Sequence, residues 1–149
     1  MEKKLAVLIG IQGSGKSTFY RRYLEGEYTR VNLDTLKTRS RERLLIDDCL
    51  ASGTSLAIDN TNPTKADRQR YIPYAKEAGY TIICYFIESK LKPCMERNAQ
   101  RQGKERIPDC AIISTSNKLE MPSYDEGFDE IYFVKNDGKN MIIEEWRDV

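Results

Sequence analysis

The sequence predicts an α/β fold, a three-layer sandwich with a mostly parallel sheet, and three observations lead there. Short apolar or β-branched runs alternate with stretches of helical period, the pattern of strands joined by right-handed helical crossovers. A glycine-rich loop, Gly10 to Ser17, stands where the first strand meets the first helix. The length, 149 residues, suits one compact domain. No internal repeat, low-complexity tract or linker interrupts it, so residues 1–149 are read as a single domain.

The elements follow in order. Leu5-Ala6-Val7-Leu8-Ile9, between Lys4 and Gly10, is a continuous apolar run and reads as a strand buried on both faces. Lys16 to about Glu25 carries Phe19, Tyr23 and Leu24 at helical spacing and is closed by Gly26. Tyr28 to Leu33 is the second strand, and Thr35 to about Ser52 is one helix with Leu36, Leu44, Leu45 and Leu50 in a mostly helical pattern. Ser55 to Asp59 is a short strand that runs into Asn60-Thr61-Asn62-Pro63, a loop signal. Thr64 caps a helix that reaches Gly79, with Pro73 marking a kink or an irregular turn. Tyr80 to Ile87, rich in β-branched and aromatic residues, is the clearest strand. Leu91 to Arg101 is helical, Gln102-Gly103-Lys104 breaks it, and a short helix starts at Pro108-Asp109 with Ile112 and Ile113 inward. Asp129 to Val134 and Met141 to Trp146 are strands joined across Asp137-Gly138, which predicts an edge hairpin.

Composition narrows the chemistry. There is no histidine, which excludes Ser-His-Asp and Cys-His centres, His-ligated metals and His phospho-carriers. Base work falls to Asp or Glu, or to Lys or Tyr. Cys49, Cys84, Cys94 and Cys110 contain no CxxC pair, so zinc and dithiol redox sites lack their spacing and all four read as structural. The apolar stretch after Met1-Glu2-Lys3-Lys4 enters the glycine-rich loop with no cleavage site, and no run approaches the ~20 residues of a membrane span. The expectation is a cytoplasmic protein with no membrane partner. Net charge is +1, but residues 1–106 hold 20 basic against 13 acidic side chains (+7) and residues 107–149 hold 4 against 10 (−6). That asymmetry suggests an anionic ligand on the first part, with solvated helix faces as the alternative.

Gly10-Ile11-Gln12-Gly13-Ser14-Gly15-Lys16-Ser17 matches G-x-x-x-x-G-K-[ST] in the required context, a strand before it and a helix after it. The fold class sharpens to a P-loop NTPase type that binds ATP with Mg²⁺. Gly10, Gln12, Gly13, Ser14, Gly15, Lys16, Ser17 and Thr18 are the expected nucleotide contacts. Lys16 would neutralise the β/γ-phosphates and Ser17 would ligate Mg²⁺. Asp34 stands just after the second strand and should share the crevice with the loop, since ligands of open parallel sheets lie outside the carboxyl ends of the strands. It is either the base that accepts a hydroxyl proton or the N-cap of the next helix. Asp59 ends the third strand, as a water-mediated Mg²⁺ contact or a turn-initiating Asp, and Asn60 and Asn62 are substrate donors or turn residues. Arg97 and Arg101 share one helix face before a glycine-containing break. They are lid arginines over the transferring phosphoryl group or a solvated face, and the helical lid would span approximately residues 97–108.

Together these segments resemble the polynucleotide 5′-hydroxyl kinase family of P-loop phosphotransferases, from Leu5 to about Phe133. The resemblance rests on the P-loop, Val31-Asn32-Leu33-Asp34-Thr35-Leu36, Ala57-Ile58-Asp59-Asn60-Thr61-Asn62-Pro63 with Arg68-x-Arg70-Tyr71, Arg97-Asn98-Ala99-Gln100-Arg101, and Ile107-Pro108 through Pro122. It implies transfer of the γ-phosphoryl of ATP to a nucleic acid 5′-OH, with Lys16 and Ser17 on phosphates and metal. By the same resemblance Asp34 is the base, Arg97 and Arg101 are the lid arginines, and Lys37 and Arg70 are acceptor contacts. Lys37 and Leu33 stand where the family often has arginines. Two alternatives therefore stay open, a kinase of a small hydroxyl metabolite or nucleoside and a non-catalytic ATP-binding switch module.

Overall fold

A computed structural model of the chain describes residues 2–146; Met1 and residues 147–149, the ends of the predicted domain, lie outside the described residues. The central strand is β1 (Lys4–Ile9), paired in parallel with β3 (Leu56–Ile58) on one side and β4 (Thr81–Ile87) on the other. Beyond them β2 (Thr29–Val31) and β5 (Glu130–Asn136) extend the parallel sheet, and β6 (Met141–Glu145) closes one edge antiparallel to β5, in the order β2-β3-β1-β4-β5-β6. The predicted edge hairpin is present. Alternate residues of β1 point to opposite faces, and both faces are covered. Leu5, Val7 and Ile9 pack with Ile46, Ile72 and Ile82, whereas Ala6 and Leu8 pack with Phe19, Leu24 and Val134. Each aliphatic side chain buried this way stabilises the fold by roughly 1.5–3 kcal/mol, and the two cores fix the layers.

Several helices differ from the sequence expectation. The first is α-helical only as α1 (Lys16–Phe19) and continues as a π-turn over Tyr20–Leu24, where the Glu25 amide donates to the Tyr20 carbonyl at 2.9 Å. The wider turn directs Tyr20 and Leu24 inward and leaves Tyr23 at the surface. The second strand ends at Val31, and the single helix expected after it is two: α2 (Leu33–Leu36) and α3 (Arg39–Ser52). They part at Lys37, whose φ of 77° leaves the helical region, and Thr38 then caps α3 by accepting from the Arg41 amide. The face of α3 turned to the sheet carries Glu42, Ile46 and Cys49, and Leu44 is exposed. The helix capped by Thr64 is likewise split, into α4 (Lys65–Arg68) and α5 (Ile72–Glu77), with Pro73 in the first turn of α5 where no amide is needed. α6 (Leu91–Ala99) and α7 (Asp109–Lys118) complete the set; Ile112 is buried but Ile113 is exposed, contrary to expectation. Cys49, Cys84 and Cys94 are buried free thiols, and Cys110 is a surface one. Among the described residues no helix is long and apolar enough to cross a membrane.

Candidate active site

Three chain segments end side by side at the carboxyl edge of the parallel strands: the P-loop after β1, Asn32–Asp34 after β2, and Asp59–Asn62 after β3. The P-loop is held by its carbonyls. Arg97 Nη1, reaching from α6, donates to Gly13 O at 2.7 Å, and Asn136 Nδ2, at the end of β5, donates to Ser14 O at 2.7 Å. The amides of Gly13 and Gly15 find no acceptor within the described chain, the arrangement of a phosphate cradle. Gly13 and Gly15 have φ of 82° and 98°. A Cβ on Gly13 would also lie 2.3 Å from the Cys94 carbonyl oxygen. Gly13→Ala is therefore expected to deform the loop, weakening ATP binding at least tenfold as read by calorimetric titration; unchanged affinity would show that the loop adapts.

Three buried side-chain oxygens lack a hydrogen-bond partner among the described residues: Gln12 Oε1, Ser14 Oγ and Asp59 Oδ1. All belong to this site. Such groups cost roughly 1–3 kcal/mol each when left unpaired, so their clustering marks a place built for a polar ligand. Lys16 lies beside them with Nζ 3.3 Å from Ile11 O. Burial pulls its ammonium down to about 8; Asp59 opposes that shift, Arg101 adds to it, and Asp34 opposes it in turn. The charges of Asp59, Arg101 and Asp34 thus bear on Lys16, whereas Arg97, predicted with them, is held on the Gly13 carbonyl.

Ser17 Oγ donates to Asp59 Oδ2 at 3.1 Å, so the two predicted metal contacts meet. A hydroxyl and a carboxylate, with Asp59 Oδ1 still unpartnered, are the hard oxygen donors that Mg²⁺ takes, and the residues fit the ion. Sequence reading missed Arg30. From β2 its Nε donates to Asp59 Oδ2 at 2.8 Å and its Nη2 to Ser17 Oγ at 2.9 Å, and its guanidinium lies 5.9 Å from the Tyr20 ring centre. The available signal was strand alternation, which puts Arg30 on the same face as Asn32, two residues on. Because Arg30 holds the oxygens a metal needs, Arg30→Met is expected to lower severalfold the Mg²⁺ concentration that half-saturates metal-dependent nucleotide binding, read by calorimetry. An unchanged midpoint would mean that Arg30 leaves those oxygens freely.

Asp34 is exposed in the first turn of α2 and its carboxylate has no partner among the described residues. It is not the N-cap: Asn32 Oδ1 accepts from the Thr35 amide at 3.1 Å. Asn32 Nδ2 also donates to Asp59 O at 2.6 Å, and the Leu33 amide donates to Asn60 Oδ1 at 2.9 Å, so the helix carrying Asp34 is pinned to the corner that carries Asp59. Asn60 and Asn62, predicted as substrate donors, direct their amide groups into the fold. Asn60 Nδ2 donates to Glu42 Oε2 at 3.0 Å, and the buried Asn62 donates to Leu8 O at 2.8 Å, with φ of 47°. Lys37 and Arg70 are exposed.

Arg97 docks on the P-loop backbone, and the partly exposed Arg101 follows α6. Residues 97–108, expected as a helical lid, are the end of α6 and the loop that leads to α7, with one short 3₁₀ turn at Gly103–Glu105. Asn98, fully buried, fastens it by donating to Ile107 O at 2.6 Å and accepting from the Ile107 amide at 2.9 Å.

The family described as AAA domain matches residues 39–121. A bifunctional polynucleotide phosphatase/kinase of Schizosaccharomyces pombe is 32% identical over 133 residues, which cover 87% of this chain and 33% of that protein. A relative from Acanthamoeba polyphaga mimivirus is 31% identical over 140 residues, 89% of this chain and 33% of its own length. The chain therefore spans about a third of the length of these two relatives. Among solved structures, one from the Pnkp1/Rnl/Hen1 RNA repair complex aligns with a TM-score of 0.67 and 25% identity over 79% of this chain and 44% of that one. The phosphate cradle, the sheet order and these matches agree: the chain is similar over most of its length to polynucleotide phosphatase/kinases, and it belongs to the AAA domain family.

Proposed function

We propose that the chain transfers the γ-phosphoryl group of ATP to a hydroxyl acceptor, and that the acceptor is the 5′-OH end of a polynucleotide. The observation that carries this reading is Asp34, a carboxylate without a partner among the described residues, on a helix anchored to Asp59 and Asn60 at the sheet edge that also holds the P-loop. A base there accepts the acceptor proton while the hydroxyl oxygen forms the new P–O bond and ADP leaves. The P-loop amides and Lys16 hold the phosphates, and Arg101 adds positive charge where negative charge builds up. Mg²⁺ bound at Ser17 and Asp59 would supply charge neutralisation on the phosphates. The names of the relatives support a nucleic acid acceptor. Leu33 brings no charge to the crevice, which favours a small acceptor, but Lys37, Arg41 and Arg70 have no ion-pair partner among the described residues and offer cations nearby.

The test is incubation with γ-labelled ATP and a panel of 5′-OH DNA and RNA oligonucleotides beside small hydroxyl compounds. Labelled 5′ ends are the expected product. Turnover confined to small compounds would transfer the reading to a metabolite kinase, and ATP occupancy without turnover on any acceptor would leave a binding switch.

A further inference from the structure

A second cavity lies beside the crevice, between α3 and the α4–α5 segment. Its volume is about 390 Å³, and Arg39, Glu42, Arg43, Arg70, Tyr71 and Tyr74 are among its lining residues. That volume lies within the ~300–1,000 Å³ of ordinary ligand clefts. Its floor is a closed network. Buried Glu42 accepts from Arg39 Nη1 at 2.9 Å and from Tyr71 OH at 3.2 Å through Oε1, and from Asn60 Nδ2 at 3.0 Å through Oε2. The one carboxylate of the lining is thus neutralised internally. Asn60 in turn accepts from the Leu33 amide, next to Asp34, so the floor of the cavity and the backbone of the candidate base are parts of one hydrogen-bonded corner.

The walls are different in kind. Arg43 lays its guanidinium 4.0 Å from the centre of the Tyr74 ring, and Tyr74 is 45% exposed. Arg70 is exposed and has no ion-pair partner among the described residues. The cavity therefore combines a planar stacking platform, an unpaired cation and a neutralised floor, one network away from Asp34. Nucleobases stack on aromatic rings and on guanidinium planes whatever their identity, and phosphodiesters seek unpaired arginines. A small sugar or alcohol brings neither a base ring for the stack nor a phosphodiester for the cation.

We infer that this cavity is a nucleotide subsite for the acceptor strand. A base just 3′ of the reacting end rests on the Arg43–Tyr74 stack, and its phosphodiester meets Arg70. The inference rests on the polynucleotide reading, and it assigns recognition of strand length to α3 and α5 rather than to the crevice.

The experiment compares a fluorescein-labelled 5′-OH oligonucleotide of about ten residues with a single 3′-phosphorylated nucleoside, each titrated onto the wild-type chain and onto Tyr74→Ala, Arg43→Gln and Arg70→Gln. Anisotropy and competition give the affinities, and melting curves confirm folding of these surface variants. A stacking contact is worth about 1–3 kcal/mol per base, so the preference for the oligonucleotide over the nucleoside is expected to fall about tenfold in Tyr74→Ala. Arg70→Gln should also flatten the salt dependence of oligonucleotide binding, because one phosphate contact is lost. An unchanged preference in all three variants would overturn the inference, as would a wild-type chain that binds no oligonucleotide. Oligonucleotide binding that depends on the three residues, but without transfer to its 5′ end, would leave the subsite standing and the proposed reaction refuted.

Discussion

Asp34→Asn is expected to reduce phosphoryl transfer by on the order of 10²–10⁴, the usual contribution of a positioned general base. The carboxylate is exposed and unpartnered, so the change removes no contact that holds the fold, and the melting temperature should stay within about 1 °C of wild type. ATP affinity should change little, because the loop amides, Lys16 and Ser17 belong to other segments. Steady-state transfer, nucleotide titration and a melting curve on one preparation separate these effects. Loss of ATP binding in parallel with transfer would point to a role for Asp34 in supporting the nucleotide site. Wild-type turnover would remove Asp34 from the mechanism.

The largest effect on stability is expected at Arg68. Its side chain is fully buried and all five of its donors are engaged. Nε donates to Asn62 O at 3.0 Å, Nη1 to both Glu126 oxygens at 3.0 and 2.9 Å, and Nη2 to Pro63 O at 3.2 Å and to Glu120 O. Arg68→Met leaves Glu126 as an uncompensated buried carboxylate and frees the loop that follows Asp59. Breaking such a pair costs about 3–5 kcal/mol, which lowers the melting temperature by about 6–20 °C for a domain of this size. The double variant Arg68→Met/Glu126→Gln should recover part of the loss, since an unpaired charge costs more than an absent pair; full recovery is not expected, because Glu126 also accepts from the Ser123 amide at 3.0 Å. A single variant that melts within 2 °C of wild type would show that the network relaxes around the gap.

Much of the fold was legible because its signals are local. The apolar run of β1, the β-branched run of β4 and the Asp-Gly turn before β6 each depend on neighbours in sequence, and all three elements lie where expected. The break at Lys37 was not legible, since Leu36, Leu44 and Leu45 continue a helical spacing across a residue whose φ is 77°, whereas the one at Gln69–Tyr71 falls just before Pro73, which marked an irregularity. In the site, the phosphate loop and the Ser17–Asp59 meeting followed from motif and strand end. The roles of Asn60 and Asn62 did not, since an Asn before Pro reads equally as a ligand donor or a loop brace, and only the buried partners at Glu42 and Leu8 decide.

By itself the sequence determined a parallel α/β domain with a phosphate loop, and, through its lack of histidine, a carboxylate as the favoured base. Those conclusions need only periodicity, spacing and composition. The tertiary structure alone decided that Arg30 lies across the Ser17 and Asp59 oxygens, that Arg97 and Asn136 brace the loop by its carbonyls, and that Arg68 is a buried tie while Arg70, two residues on, is exposed. The reason is physical. An arginine is a cation at every accessible pH, and whether it binds a ligand or locks the fold depends on which carboxylates and carbonyls the folded chain brings within 3 Å of it, from positions 29 to 84 residues away.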